Sequence, residues 1–152
     1  MSASADRAPL RPLLEAVLRE EAGVVELGRL CPRCGSAEHG QPHARTRHGA
    51  PLHVSLGYAT GLGVVAWSRS APVGIDVELD GAPVDGVGAR TDWTRHEALA
   101  KATGLGLVAE AELADLATWP LALPAGYVGT VAGSGVSWRW VALEARSDEA
   151  SR

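Results

Sequence analysis

The stretch Val73-Gly74-Ile75-Asp76-Val77-Glu78 decides how this chain is interpreted. Three apolar or small residues lead into Asp76, and a single apolar residue separates it from Glu78, a pattern that predicts a strand. Side chains two positions apart on a strand share a face, so the two carboxylates are expected side by side. Such a pair repels itself and forms a hard oxygen site for a cation such as Mg²⁺. The alternative is that two acidic residues simply end a strand and face water.

The bulk composition indicates one globular protein with a substantial core. The chain has 152 residues, of which 46% are hydrophobic and 21% charged, and its net charge is −4. Nucleic-acid-binding proteins carry a basic surface, so no nucleic-acid partner is expected. No apolar run approaches the roughly 20 residues of a membrane span, and residues 1–9 lack the apolar core of an export signal. We therefore expect a cytoplasmic protein without a membrane partner.

The first half of the chain predicts a loose tail, a helix and then strands. Apolar residues recur at helical spacing at Leu10, Leu13, Leu14, Val17 and Leu18. Gly23 would end that helix near residue 22. Residues 24–30 are expected to be a strand or an extended segment, and residues 35–50 a loop. The strands that follow are Leu52–Ser55, the almost wholly apolar Leu62–Ser68, and Val73–Glu78; residues 52–78 are predicted to form a compact β meander.

The second half predicts another helix and a hairpin. Thr91 or Asp92 is the expected cap of a helix from Trp93 to about Ala102, ended by Gly104. The remaining predicted elements are a strand at 105–110, a helical turn at 111–116, two strands at 127–132 and 138–143 joined as a hairpin through Gly133-Ser134-Gly135, and a polar tail.

Cys31 and Cys34 form a C-x-x-C-G motif, and His39 and His43 follow closely. A Cys₂His₂ set would bind zinc, but zinc sites usually bring the second ligand pair about a dozen residues away on another element. A redox C-x-x-C usually opens a helix after a strand, and the Pro and Gly here argue against that. The sequence favours a structured turn with reduced thiols, with zinc binding as the alternative.

Four motifs together resemble the 4′-phosphopantetheinyl transferases of the Sfp-like type. Residues 74–78 resemble the family pattern (V/I)-G-(V/I)-D-(V/I)-E, and residues 93–104 resemble W-x-x-K-E-A-x-x-K-x-x-G. Residues 31–42 are similar to the Cys-rich HG-x-P segment of actinobacterial members, and residues 54–62 resemble the V-S-x-S-H-x-x-G-L turn. The motifs stand in the family's order and cover about residues 13–132.

The resemblance implies a Mg²⁺-dependent enzyme of secondary metabolism. It would move the phosphopantetheine arm of coenzyme A onto a serine of an acyl or peptidyl carrier protein and release adenosine 3′,5′-bisphosphate. Asp76, Glu78 and Glu97 match the three carboxylates that hold the metal on the pyrophosphate. Lys101 matches the lysine that stabilises the leaving oxygens, and it lies one helical turn after Glu97. Glu97 could also accept the proton of the acceptor serine, directly or through water.

Several positions that would contact coenzyme A depart from the family pattern. Gln41 stands where better-known members have a lysine, Gly57 and Tyr58 replace a Ser-His pair, and His96 replaces another lysine. Each lost charge-assisted contact to a phosphate is worth about 1.5–3 kcal/mol. The basic groups that could compensate are Arg45, Arg47 and His48.

These departures keep a second interpretation open. The chain could be a repurposed or catalytically inactive member that acts on carrier-protein-bound or other small-molecule intermediates of a natural-product pathway. Tyr58, His53, His96 and the two cysteines would then be candidate functional groups, although a single histidine such as His53 on a strand is usually only packed or solvated.

The resemblance also implies the fold. We expect an α+β protein with an antiparallel sheet, a long packed helix and two pseudo-symmetric lobes. The predicted divisions are a tail at 1–8, an N-terminal lobe at 9–70, a C-terminal lobe at 71–145 and a tail at 146–152. Because the first lobe looks thin, we expect the chain to form a homo-oligomer that buries exposed sheet.

Overall fold

The computed structural model of the chain describes residues 9–31, 33–104, 116–134 and 138–144. Those residues contain two helices and eight strands, labelled here in chain order. Their bounds are α1 Arg11–Glu21, β1 Val24–Leu30, β2 Gln41–Thr46, β3 Pro51–Ala59, β4 Leu62–Ser68, β5 Val73–Leu79, α2 Arg90–Thr103, β6 Ala117–Pro120, β7 Tyr127–Gly133 and β8 Trp138–Glu144. The expected α+β class is confirmed, as are both helices, the strand at 24–30, and the end of α2 at Gly104, which adopts φ +73°.

The strands form two antiparallel sheets. The larger has the order β1-β2-β3-β4-β8 and the smaller the order β5-β7-β6. The predicted meander is therefore wrong: β3 pairs with β4, but β5 leaves that sheet and pairs with β7. The predicted hairpin of β7 and β8 is also wrong, because β8 pairs with β4 over the whole of that strand. Alternating apolar residues identify a strand without identifying its neighbour.

The two sheets and two helices stack in layers. On one face of the larger sheet, Leu14 and Leu18 of α1 lie in a cluster with Val65 and Trp67. The other face carries Leu62, Val64 and Ala66, which pack against Val73, Ile75 and Val77 of the smaller sheet. Every residue of β4 is buried, which confirms that this apolar strand is central. The far face of the smaller sheet meets α2 through Ala98, Leu99, Ala102 and Ala132.

Gly74 permits the close contact between β5 and α2. A Cβ atom at this position would collide with the main-chain carbonyl oxygen of Ala98 and would lie 2.6 Å from the amide nitrogen of Ala102. Only hydrogen leaves room for the helix main chain. A buried hydrogen bond of 2.9 Å between Thr94 of α2 and Thr130 of β7 fixes the helix further. The glycine thus brings the carboxylates of β5 and α2 together.

Several local expectations need correction. The predicted loop at 35–50 contains β2, because Gln41–Thr46 pairs with β1 despite its polar composition. Strand β3 runs on to Ala59, so Gly57 and Tyr58 lie within a strand and not in a turn. Helix α2 starts at Arg90, and its N-cap residue is Ala89 instead of Thr91 or Asp92; the Asp92 carboxylate accepts a hydrogen bond from the Ala89 amide.

Other expectations fall outside the residues that the structure describes. They are the tails at 1–8 and 146–152, the strand at 105–110, and almost all of the helical turn at 111–116. The two-lobe division stays a prediction, although β8, from the second predicted lobe, joins the sheet of the first. Neither described helix is long and apolar enough to cross a membrane.

Candidate functional site

Strand β5 and helix α2 bring three carboxylates to one side of the smaller sheet. Asp76 is buried, and Glu78 and Glu97 are half-buried. Asp76 and Glu78 share a strand face, as predicted, and this is the face that Gly74 opens to α2. We call these three residues the carboxylate cluster. The indole N–H of Trp93 donates a hydrogen bond of 3.3 Å to Glu78, which orients that carboxylate.

Lys101 ties the carboxylate cluster to the larger sheet. Its ammonium lies 2.8 Å from a carboxylate oxygen of Asp76. It also donates hydrogen bonds of 3.1 Å to the main-chain oxygens of Leu56 on β3 and Ile75 on β5. The three N–H donors of the ammonium thus match three protein acceptors. In this arrangement Lys101 neutralises Asp76, and a contact with a phosphate requires one of these bonds to be exchanged.

The electrostatics of the cluster favour a bound cation. Burial, and then the negative charge of Asp76, raise the pKa of Glu78 above its ordinary 4.5. The same two causes raise the pKa of Glu97, and the charge of Lys101 only partly opposes them. A divalent cation would relieve this repulsion, and a carboxylate donor set is one that Mg²⁺ prefers. The cluster therefore fits the metal chemically. Its carboxylate oxygens do not all lie within 4.8 Å of one another, unlike the ligand atoms of the cysteine group described below.

A cavity of about 870 Å³ opens beside the cluster. Glu97 and Lys101 contribute to its wall, together with the β1–β2 hairpin and β3. Its volume is within the range of about 300–1,000 Å³ that is usual for small-molecule sites. The polar and charged residues that line it are Glu26, Arg29, Gln41, His43, Arg45, His53, Ser55, Glu97, Lys101 and Thr103. An anionic ligand in this cavity would meet the cations Arg29 and Arg45 of the β1–β2 hairpin and Lys101 of α2.

Gln41 lies on the cavity wall and also caps α2. Its side-chain amide donates a 3.2 Å hydrogen bond to the main-chain oxygen of Lys101. A Cβ at Gly104, the residue that ends the helix, would approach the same amide to 2.7 Å. The side chain therefore satisfies a carbonyl at the helix end that would otherwise need another donor. Its predicted contact with coenzyme A would therefore use the second N–H or the carbonyl oxygen of the amide.

The structure brings together most, but not all, of the predicted site residues. Arg45 and Gln41 line the cavity, as do Glu97 and Lys101. Tyr58 is not on the cavity wall; it packs against the core cluster beneath α1. His96 is half-buried and also outside the cavity wall, although its charge lowers the pKa of Glu97. The compensating cations Arg47 and His48 are exposed and do not line the cavity.

Sequence reasoning missed two basic contributions to the cavity. Arg29 on β1 and His43 on β2 both line it, and Arg29 also donates a 3.1 Å hydrogen bond to the main-chain oxygen of Gly40. Only the pairing of β1 with β2 reveals that both strands contribute to one cavity. To predict these two contributions, the sequence analysis would have had to identify residues 41–46 as a strand. His53, which the sequence left as an unremarkable strand histidine, lines the cavity as well.

The cysteine motif forms a separate site at the tip of the β1–β2 hairpin. Both thiols are free; Cys31 is buried and Cys34 exposed. The Sγ atom of Cys34 lies 3.3 Å from Nε2 of His39. Hydrogen bonds from the main chain of Cys34 and then of Arg33 lower the pKa of Cys31. The predicted structured turn is thus present, and His43 stands apart from it.

The comparisons with known proteins leave the family unassigned. A scan against models of protein families gives no match, and a search of curated proteins gives no significant relative. The resemblance to the transferases therefore stays a prediction, and the functional argument depends on the geometry of the site.

Proposed function

We propose that this chain is a Mg²⁺-dependent 4′-phosphopantetheinyl transferase that uses coenzyme A and modifies a serine of an acyl or peptidyl carrier protein. The observation that carries the proposal is the assembly of Asp76, Glu78, Glu97 and Lys101 beside a large cavity with basic groups on its wall. Phosphoryl transfer requires charge neutralisation on the transferred and leaving oxygens more than covalent chemistry by the protein. Carboxylates for a metal and a nearby lysine supply that requirement.

The reaction assigns a role to each group in the cluster. Mg²⁺ held by Asp76, Glu78 and Glu97 would withdraw charge from the pyrophosphate of coenzyme A. The acceptor serine oxygen forms a bond to the phosphorus that carries the pantetheine arm, and the bond from that phosphorus to the bridging oxygen breaks. Adenosine 3′,5′-bisphosphate leaves with the bond electrons, and Lys101 stabilises its charge. Glu97 accepts the serine proton directly or through water.

The basic wall of the cavity is the proposed site for the remaining phosphates. Arg29 and Arg45 lie on adjacent strands, and His43 and His53 also line the cavity. Guanidinium groups bind phosphate through paired N–H donors, so they can replace lysines that the family pattern places elsewhere. This arrangement supports binding of coenzyme A despite Gln41 and Tyr58.

Mass spectrometry of carrier proteins tests the activity. The protein is incubated with coenzyme A, Mg²⁺ and a panel of apo carrier proteins, and the products are weighed. We expect the mass of one phosphopantetheine arm to be added to at least one of them, and Asp76→Ala to abolish the addition. Asp80→Ala is the matched control, because Asp80 is an exposed aspartate just beyond β5. If no carrier protein gains mass while a known transferase modifies the same panel, the proposal fails.

A second candidate function rests on the contacts of Lys101 and Gln41. Both side chains already bond protein acceptors, as they would in a scaffold that no longer handles phosphates. The chain would then be a repurposed or inactive transferase-like protein that still binds carrier proteins or their attached intermediates. Calorimetry separates the two: micromolar binding of a carrier protein, with neither binding nor transfer of coenzyme A, favours this second function.

A further inference from the structure

The tip of the β1–β2 hairpin gathers three metal-ligating side chains. Among the residues that the structure describes, Cys31, Cys34 and His39 are the one group of three or more Cys, His, Asp or Glu whose ligand atoms all lie within 4.8 Å of one another. The Cys34 Sγ to His39 Nε2 distance is 3.3 Å. Tetrahedral zinc, with bonds of about 2.3 Å to sulfur and 2.0–2.1 Å to nitrogen, would separate these two atoms by about 3.6 Å. The group is therefore at nearly the spacing that zinc requires.

The main chain around Cys31 forms a closed turn. The turn closes through a 2.8 Å bond from the Gly35 amide to the Cys31 carbonyl and a 2.9 Å bond from the Cys31 amide to Ser36. Gly35 has φ +70°, a conformation that favours glycine. The closed turn holds Cys34 beside Cys31, with their sulfur atoms within 4.8 Å of each other.

The loop also returns His39 to the cysteines. Gly40 has φ +101°, and a Cβ there would lie 2.5 Å from both the Cα and the amide nitrogen of Cys31. The return of the chain thus presses directly on the first cysteine and places the preceding histidine beside the second. His43, the other histidine considered from the sequence, lies away from the cysteines. Its ring covers Gly28 of β1, where it is 2.7 Å from the position that a Cβ would take.

We propose that Cys31, Cys34 and His39 bind one Zn²⁺ ion, with a water molecule in the fourth position. Binding forms two Zn–S bonds and one Zn–N bond and releases the two thiol protons to solvent. Cys34 and His39 are exposed, so solvent reaches the fourth position. The ion holds the two ends of the loop together. Since Leu30, Gly40 and Gln41 belong to the cavity wall, zinc also supports one side of the cavity. The assignment of this site does not depend on the proposed transferase activity.

Metal analysis and cobalt spectroscopy test the proposal. The reduced protein is loaded with ZnSO₄, dialysed against metal-free buffer and analysed for zinc by mass spectrometry; a parallel sample is titrated with CoCl₂. We expect about one zinc per chain, and a thiolate-to-cobalt charge-transfer band together with the visible bands of four-coordinate cobalt. Cys34→Ser and His39→Ala should each weaken binding at least about tenfold. His48→Ala, which removes another exposed loop histidine, should change nothing.

Three results would overturn the assignment. The first is less than about a tenth of a zinc per chain in protein whose two thiols still react with a thiol reagent. The second is a cobalt spectrum without a sulfur charge-transfer band, which would place the metal on other ligands. The third is loss of zinc in His43→Ala with retention in His39→Ala. Circular dichroism checks that each variant is folded; if Cys34→Ser is not, the cobalt spectrum of the unaltered protein decides the question alone.

Discussion

Replacing Gly74 by alanine is the sharpest test of how the sequence builds the site. The new Cβ would point at the main chain of α2, where it meets the Ala98 carbonyl and lies 2.6 Å from the Ala102 amide nitrogen. Neither neighbour is a flexible side chain, so the strain cannot be relieved by a rotamer change. Either the helix or the strand must move. The substitution changes no charge and no hydrogen-bonding group, so its effect reports the contact alone.

The structure gives the size of the effect. Ordinary contact of a Cβ begins at 3.4 Å, so the Ala102 contact alone requires a shift of about 0.8 Å (3.4 minus 2.6). Overpacking of this kind costs about 1–3 kcal/mol of the free energy of unfolding. For a chain of this length each kcal/mol lowers Tm by about 2–4 °C, which predicts a loss of about 2–12 °C. Because Glu97 and Lys101 move with α2, a displacement near 1 Å would also cost about 10²-fold in any activity of the cluster.

The assay compares Gly74→Ala with a glycine that has room. A Cβ at Gly81, in the loop after β5, meets nothing within 4 Å, and its φ is not positive. Gly81→Ala should leave Tm unchanged or raise it slightly, because it reduces the freedom of the unfolded chain. Calorimetric Tm is measured for both variants. Equal Tm values for the two variants would refute the close contact between α2 and β5.

Two further predictions concern the charges of the cluster. The folded-state pKa values of Glu78 and Glu97 lie above the ordinary value of 4.5. Between pH 4.5 and those folded-state values, the folded protein holds more protons than the unfolded chain. The free energy of unfolding therefore falls as pH rises through this range. Glu97→Gln should flatten this decline in urea titrations at several pH values; an unchanged slope contradicts the assignment. Lys101→Met should lower the free energy of unfolding by about 1–3 kcal/mol, because Asp76 and two main-chain oxygens lose their donor. The same titrations on Arg47→Met, an exposed cation, should show less than about 0.5 kcal/mol, and parity between the two variants would count against the role of Lys101.

The sequence predicted the elements whose signals are local and missed those that depend on pairing. Helix α1 carries its own apolar period and ends beside Gly23, and Gly104 likewise ends α2. By contrast, Gln41–Thr46 has no apolar alternation, and becomes a strand because β1 pairs with it. The start of α2 was missed for another reason: Ala89 has no capping group, and the carboxylate three residues later bonds back to its amide. Partner choice and such reciprocal contacts cannot be read from residue type.

The same distinction explains the site. Asp76 and Glu78 follow from strand parity, and Glu97 and Lys101 from helix spacing, so their grouping required only that α2 cover β5. Tyr58 packs against the core and does not line the cavity, because β3 is longer than expected. Parity along the longer strand places its ring with Leu52, Val54 and Leu56 in the cluster beneath α1. An error of four residues in a strand boundary therefore moved a predicted ligand contact into the core.

Gly57 and Gln41, two residues that differ from the pattern expected from the resemblance, are subject to different physical constraints. At Gly57 a Cβ would lie 2.8 Å from a methyl group of Val64, 3.2 Å from Cα of Asp76 and 3.3 Å from the oxygen of Ile75. Glycine at this position lets β3 lie close to β5. Lys101 bridges the two strands, because it donates hydrogen bonds to the main-chain oxygens of Leu56 on β3 and Ile75 on β5. At Gln41 no such constraint acts, since the amide reaches the end of α2 with a flexible side chain. Glycine at position 57 is thus tied to the placement of Lys101, whereas the side chain at position 41 only has to reach the end of α2.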